Sequence, residues 1–237
     1  MTAREFFRWW LPAVLIALAL FALFPALDWV IPARFWGGTP DAWPLRWNAT
    51  TAFVREDVAK LAWLPLVVIG AGAFARAAGA RLPDAFSLRA IVFLGLTYGV
   101  GPGLIVNLLL KDYWGRARPE AIQAFGGPDP YTPAWMPSDA GGASFVSGEV
   151  AIAAATCAVA LLARGRARLV LFLLGFALAS AIGMVRMAQG GHFLSDVVFA
   201  MLLTWLIAWL MHSLVFRWTA PAAALRTRDM EQRAGAP

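Results

Sequence analysis

Three groups of polar residues interrupt a chain that is otherwise strongly apolar. In the run Lys111-Asp112-Tyr113-Trp114-Gly115-Arg116-Ala117-Arg118-Pro119, cationic side chains follow about two dozen almost uncharged residues, at the point where a membrane helix would leave the lipid. One cation there would simply snorkel. A lysine and an Arg-Pro pair at the spacing Lys111-x6-Arg118-Pro119 instead suit an anion, Arg118 supplying a fork for phosphate oxygens and Lys111 a point charge. Ser144-Phe145-Val146-Ser147-Gly148-Glu149 carries the serines and the acidic residue of a helix start, where either a side-chain cap or a bound anion satisfies the free N–H groups. Arg186, His192 and Asp196 make the third group. His192 and Asp196 share one helical face, so the carboxylate can bond one ring nitrogen and hold the other, unprotonated and nucleophilic, toward a substrate.

Membrane helices must position these groups. Of the 237 residues, 60% are hydrophobic and 14% charged, and the mean hydropathy is +0.66, which excludes an ordinary soluble domain. Six stretches, 10–27, 58–75, 89–110, 144–163, 168–185 and 193–216, approach the ~20 residues that a hydrocarbon core requires. The expected fold is all-α, a polytopic six-helix transmembrane bundle, with residues 1–220 as one membrane-embedded domain and 221–237 as a polar cytoplasmic tail. The apolar run behind Arg4 and Arg8 is too long for a signal-peptide core and lacks a small-x-small cleavage site, so it reads as an uncleaved first helix. Cys157, the one cysteine, lies inside the fourth stretch and reads as a packing residue.

The net charge of +6 does not point to nucleic acid, because the basic residues lie beside the spans rather than along one soluble face. With a cytoplasmic N-terminus, that side collects twelve arginines against four carboxylates, and the other side eight cations against ten carboxylates. Both termini are therefore expected inside and residues 111–143 and 186–192 outside. The loop from Asp28 to Asp57, with Trp29, Phe35, Trp36, Trp43 and Trp47, reads as rings anchored at the headgroup level. The Gly- and Pro-rich segment between Pro119 and Ala143 reads as an outside loop over the site, a lid or a connector. Arginine-rich, lysine-poor composition fits a GC-rich bacterium, whose inner membrane would hold the chain.

Lys111-x6-Arg118-Pro119, Ser147-Gly148-Glu149 and Arg186-x5-His192-x3-Asp196 together resemble the type 2 phosphatidic acid phosphatase family, which is related to the vanadium haloperoxidases. The first and third elements match the family's pattern in full. The resemblance implies that His192 attacks phosphorus to form a phosphohistidine, that Asp196 orients it, and that Lys111, Arg118 and Arg186 hold the phosphoryl oxygens. Ser147 and the Gly148 backbone N–H would complete the cradle. The family usually has a histidine, the proton donor to the leaving oxygen, where this chain has Glu149. Three roles for Glu149 follow. It is buried enough to act as the acid; or the substrate has a leaving group that needs no acid; or Glu149 pairs with Arg186 or Arg118 and positions it.

The reading is an integral-membrane lipid phosphatase, its partners the bilayer and a phosphorylated lipid: phosphatidic acid, a phosphatidylglycerol phosphate, a polyprenyl pyrophosphate or lipid A. No metal or other cofactor is implied. Two alternatives stand beside it. A phosphotransferase would pass the phosphohistidine's group to another lipid instead of water, and a non-catalytic phospholipid binder would keep the cradle without turnover.

Overall fold

The computed structural model describes residues 3–39 and 42–217. The expected tail, 221–237, lies outside the described residues. Seven helices account for most of the rest: α1 (Ala3–Leu23), α2 (Leu27–Ala33), α3 (Ala49–Ala77), α4 (Leu88–Leu110), α5 (Gly148–Leu162), α6 (Gly165–Ala188) and α7 (Leu194–Arg217). Among the described residues no strand forms, only the isolated bridge between Ile122 and Asp129.

Five of the helices, α1, α3, α4, α6 and α7, are long and apolar enough to cross a bilayer. In α1 and α3 only 17% of the most apolar window is buried within the protein, which leaves Leu15, Ile16, Leu23, Val67 and Phe74 facing outward. Such apolar surface has lipid as its natural solvent.

The fourth expected span, 144–163, differs. Its helix begins only at Gly148 and its last turns, Thr156–Leu162, are wound as a 3-10 helix. It measures about 25 Å, against roughly 30 Å of hydrocarbon. Residues 144–147 are withheld from the helix because Ser144 N–H bonds the Arg116 carbonyl and Ser147 N–H the Asp196 carbonyl, tying that segment to the site. α5 is also the most enclosed helix. Its alanines at 151, 153, 154, 155, 158 and 160 let α3, α4, α6 and α7 close around it.

The other correction concerns the aromatic loop. Helix α3 begins at Ala49, where the Asn48 side chain accepts from the N–H groups of Thr50 (2.9 Å) and Thr51 (3.4 Å), so together with α2 about half of the expected loop is helical. Trp47 is exposed, as an interfacial ring would be, but Trp43 is buried to 3% exposure beside Ala117, Ile122, Phe125 and Phe193. These residues form a small apolar cluster. A second cluster includes Val106, Val150, Ile182 and Val197. The segment 115–147 is likewise not a free flap: Ser138 N–H bonds the Trp114 carbonyl and Gly142 N–H that of Gly115.

Candidate functional site

Four helix ends carry the site residues: the C-terminal ends of α4 and α6 and the N-terminal ends of α5 and α7. The π-wound second half of α4, Gly99–Leu110, runs into a last turn, Lys111–Trp114, and stops at Gly115 with φ +66°. A Cβ at Gly115 would overlap the Ser138 carbonyl, so this left-handed stop is reserved for glycine. Beyond it come Arg116 and Arg118. Ser147 caps α5 by accepting from Val150 N–H, α6 delivers Arg186 in its final turn, and α7 opens with Asp196 two positions inside.

His192 is 3% exposed. Its Nδ1 lies 2.8 Å from the Ser144 carbonyl oxygen, which only accepts, so Nδ1 carries the proton and Nε2 keeps its lone pair. Burial lowers the pKa of His192, Asp196 opposes that shift, and Arg186 and Arg118 add to it; the neutral ring is therefore favoured. The expected direct bond from Asp196 to the ring is not made: its Oδ2 is 3.7 Å from Nδ1. That oxygen instead accepts from Ser144 Oγ (2.6 Å) and Phe193 N–H (2.8 Å). Asp196 thus holds the residue whose carbonyl holds the histidine.

The other Asp196 oxygen accepts from Arg116 Nη1 at 2.6 Å. Arg116, 1% exposed, also donates to Asp28 Oδ2 (2.5 Å), Ser195 Oγ (2.9 Å) and the Thr132 carbonyl (2.8 Å). Its guanidinium lies 4.3 Å from the Phe193 ring centroid. Burial works against its charge, and Asp196 and Asp28 more than compensate, raising its pKa. Asp28, from α2, completes the set by accepting from Tyr131 Oη, Ser195 N–H and Ser195 Oγ, each at 2.8–2.9 Å.

The cations form a second, wetter group. Lys111 is half-buried, and its pKa is lowered by burial, then by Arg118 and Arg186, with Glu149 opposing. Its Nζ would lie 3.0 Å from a Cβ added at Gly148, where Asn107 would clash as well, so the bare Gly148 backbone faces both side chains. Arg186 donates from Nη1 to Gln189 at 2.8 Å. A Cβ at Gly191 would come within 2.5 Å of its Nη2, so this glycine makes room for the guanidinium. Glu149 bridges two arginines, its Oε2 2.7 Å from Arg186 Nε and its Oε1 3.1 Å from Arg55 Nε. This is the positioning arrangement among the three expected for that residue, with Arg55 as an unexpected second partner. Arg118 lies 3.9 Å from Glu120, which also pairs closely with Arg46. A cavity of about 120 Å³ opens among Arg46, Trp47, Arg55, Arg118, Glu120, Arg186, Gln189 and Gly191.

Of the residues singled out in the sequence, Lys111, Arg118, Gly148, Glu149, Arg186 and His192 come together here. Ser147 lies behind them as a buried helix cap and Asp196 behind the histidine. Asp28, Arg116, Ser144, Ser195, Arg46 and Arg55 were not foreseen. Arg116 sat in plain view within the first motif; Asp28, Arg46 and Arg55 carried no signal, being ordinary charges in an aromatic loop. Among the described residues no group of three or more His, Cys, Asp or Glu side chains is placed to hold a metal ion.

Fold and site define an all-helical, membrane-type protein built around a neutral histidine and a cluster of cations. Residues 90–220 match the PAP2 superfamily, and the chain belongs to that family. Over 145 residues it is 34% identical to a lipid A 4'-phosphatase of Francisella tularensis subsp. novicida, a match covering 59% of this chain and 65% of that protein. A lipid A 4'-phosphatase of Rhizobium leguminosarum is 30% identical over 242 residues, 96% of each chain. One of Rhizobium etli is 28% identical over 242 residues, 96% of this chain and 87% of the other. No solved structure matches.

Proposed function

We propose that the chain is an integral-membrane lipid phosphatase of the lipid A class, working through a phosphohistidine on His192. The observation that carries the reading is the bond from His192 Nδ1 to the Ser144 carbonyl, since it leaves Nε2 as a nucleophile beside Lys111, Arg118 and Arg186. In the first step Nε2 forms a bond to phosphorus and the ester P–O bond breaks, the electron pair leaving with the sugar oxygen, which takes up a proton from solvent water. In the second, water attacks the phosphohistidine and gives up a proton to solvent, the P–N bond breaks, inorganic phosphate is released and the free imidazole is regenerated. The three cations and the Gly148 N–H hold the phosphoryl oxygens, whose charge they match throughout. Ser147 keeps that N–H in place by capping α5.

Glu149 serves in this reading as a bridge that aligns Arg186, rather than as the proton donor. Its Oε1 accepts from Arg55 Nε and its Oε2 lies in ion-pair contact with Arg186 Nε, so both oxygens are turned to guanidiniums.

The termini are cytoplasmic and the site lies on the opposite side, an orientation supported by the arginine distribution. Six crossings fit this better than five. α5 leaves the site at Gly148 and the 24-residue α6 returns to it at Arg186, so the short, enclosed α5 must carry the chain across.

Phosphate release by purified protein, on lipid A, phosphatidic acid, phosphatidylglycerol phosphate and a polyprenyl pyrophosphate, with His192→Ala as the blank, tests the activity. Release no greater than the blank on every lipid would overturn it. Labelling of a cysteine introduced at position 130 tests the orientation, which an inside location would defeat.

A further inference from the structure

The 120 Å³ cavity has more positive charge than one phosphate needs. Arg46, Arg55, Arg118 and Arg186 line it and Lys111 lies within electrostatic reach, against Glu120 and Glu149. That is an excess of three positive charges, of which a phosphomonoester dianion takes up two. The surplus is not spread evenly. Arg118 and Arg186 belong to the cradle already described, whereas Arg46 and Arg55 come from the loop before α3 and from its first turns, outside residues 90–220.

Arg46 is about one-third exposed, its guanidinium 5.5 Å from the Trp47 ring centroid, which holds it at the cavity mouth. Among the described residues it engages Glu120 through Nη1 only, and Arg55, less than half exposed, engages Glu149 through Nε only. Each therefore has donors left over in a rigid fork suited to phosphate or carboxylate.

Building on the reading of this site as a lipid phosphatase, we propose that Arg46 and Arg55 form a second anion subsite, which recognises an acidic group neighbouring the scissile phosphate on the substrate's headgroup. The preferred substrate class is then a headgroup with two adjacent acidic functions, not a lone phosphomonoester. The second group is a phosphate or a carboxylate, both of which match the arginine fork.

Calorimetric binding to the full-length, detergent-solubilised protein, with EDTA present, tests this without relying on turnover. The probes are methylphosphonate, with one anionic group, methylenediphosphonate, with two, and phosphonoacetate, which pairs a phosphonate with a carboxylate. Wild type should bind at least one two-group probe about 10–100-fold more tightly than methylphosphonate, the equivalent of one or two charge-assisted hydrogen bonds. Which of the two wins identifies the second group. Arg46→Gln with Arg55→Gln should reduce that ratio to near one. Arg46→Gln alone, which leaves the Glu149 bridge intact, should reduce it partway and guards against a double variant that fails to fold. A wild-type ratio near one, or a ratio unchanged in Arg46→Gln, would overturn the subsite. Absence of phosphate release from any lipid would instead overturn the phosphatase reading, with the binding ratio still standing.

Discussion

Arg116 and Arg118 are two residues apart and do opposite work. Arg116 is 1% exposed and its side-chain contacts are internal: two carboxylates, a hydroxyl, a carbonyl and two aromatic faces. Arg118 has a side chain 36% exposed and faces, at 3.9 Å, the Glu120 carboxylate that it shares with Arg46. A guanidinium in a sealed, saturated network cannot move or accept a ligand, and its contribution is to hold Asp196, hence Ser144, hence His192. One in an under-neutralised, open cavity has donors to offer. Burial of charge with full compensation makes a scaffold; partial compensation at a surface makes a binding site.

The sharpest break of this comparison lies between its two halves, at the histidine that both serve. His192→Ala should release no phosphate above background while keeping most of its affinity for a phosphonate probe, because the cations remain. Measurable turnover in a contaminant-free preparation would mean that the nucleophile is elsewhere. Next in size is Arg116→Met. It strands Asp28 and Asp196 without their cation, so the fold should lose about 3–5 kcal/mol, seen as a lower midpoint in denaturation. Arg118→Met is the contrast: stability within about 0.5 kcal/mol of wild type, as for a surface change, with kcat/KM down by roughly 10²–10³-fold. Equal stability losses in the two variants would erase the distinction between scaffold and site.

Glu149→Gln should cost less, about 10–100-fold, the worth of one close ion pair that aligns Arg186. The loss should be equal on a phosphomonoester and on a pyrophosphate of the same lipid. A loss confined to the monoester, on the order of 10²–10⁴-fold, would make Glu149 the acid after all. The smallest effect concerns pH. Because burial lowers the pKa of His192, the neutral nucleophile persists below the ordinary histidine range, and the acid limb of kcat/KM should fall at a pH below 6.5. A limb above that value would place a different group in control.

The chemistry was legible because it is written in residue types at short spacings. Lys111, Arg118, Arg186 and His192 could be grouped from the sequence, since each stands at an apolar stretch's end and such ends gather at a membrane surface. Spacing alone did not reveal the nearest partner of His192. Four residues on a helix put Asp196 within reach, but His192 precedes α7, and the carbonyl of Ser144, 48 residues earlier, came closer than the carboxylate. A backbone carbonyl has no sequence signature. The start of the fourth stretch was set four residues early for a related reason, because apolar composition does not reveal that Ser144 and Ser147 bond the backbone of Arg116 and Asp196 instead of joining the helix.

Composition and the positions of charge by themselves determined that this is a helical, membrane-type chain with cations gathered at one face, since the cost of placing charge in hydrocarbon forces cations to the ends of apolar runs. Only the tertiary structure decided which charges are spent and which are free. Asp28 reaches Arg116 across 88 residues, and Arg55 reaches Glu149 across 94. Such pairings depend on how helices pack, which nothing local in either partner's neighbourhood encodes.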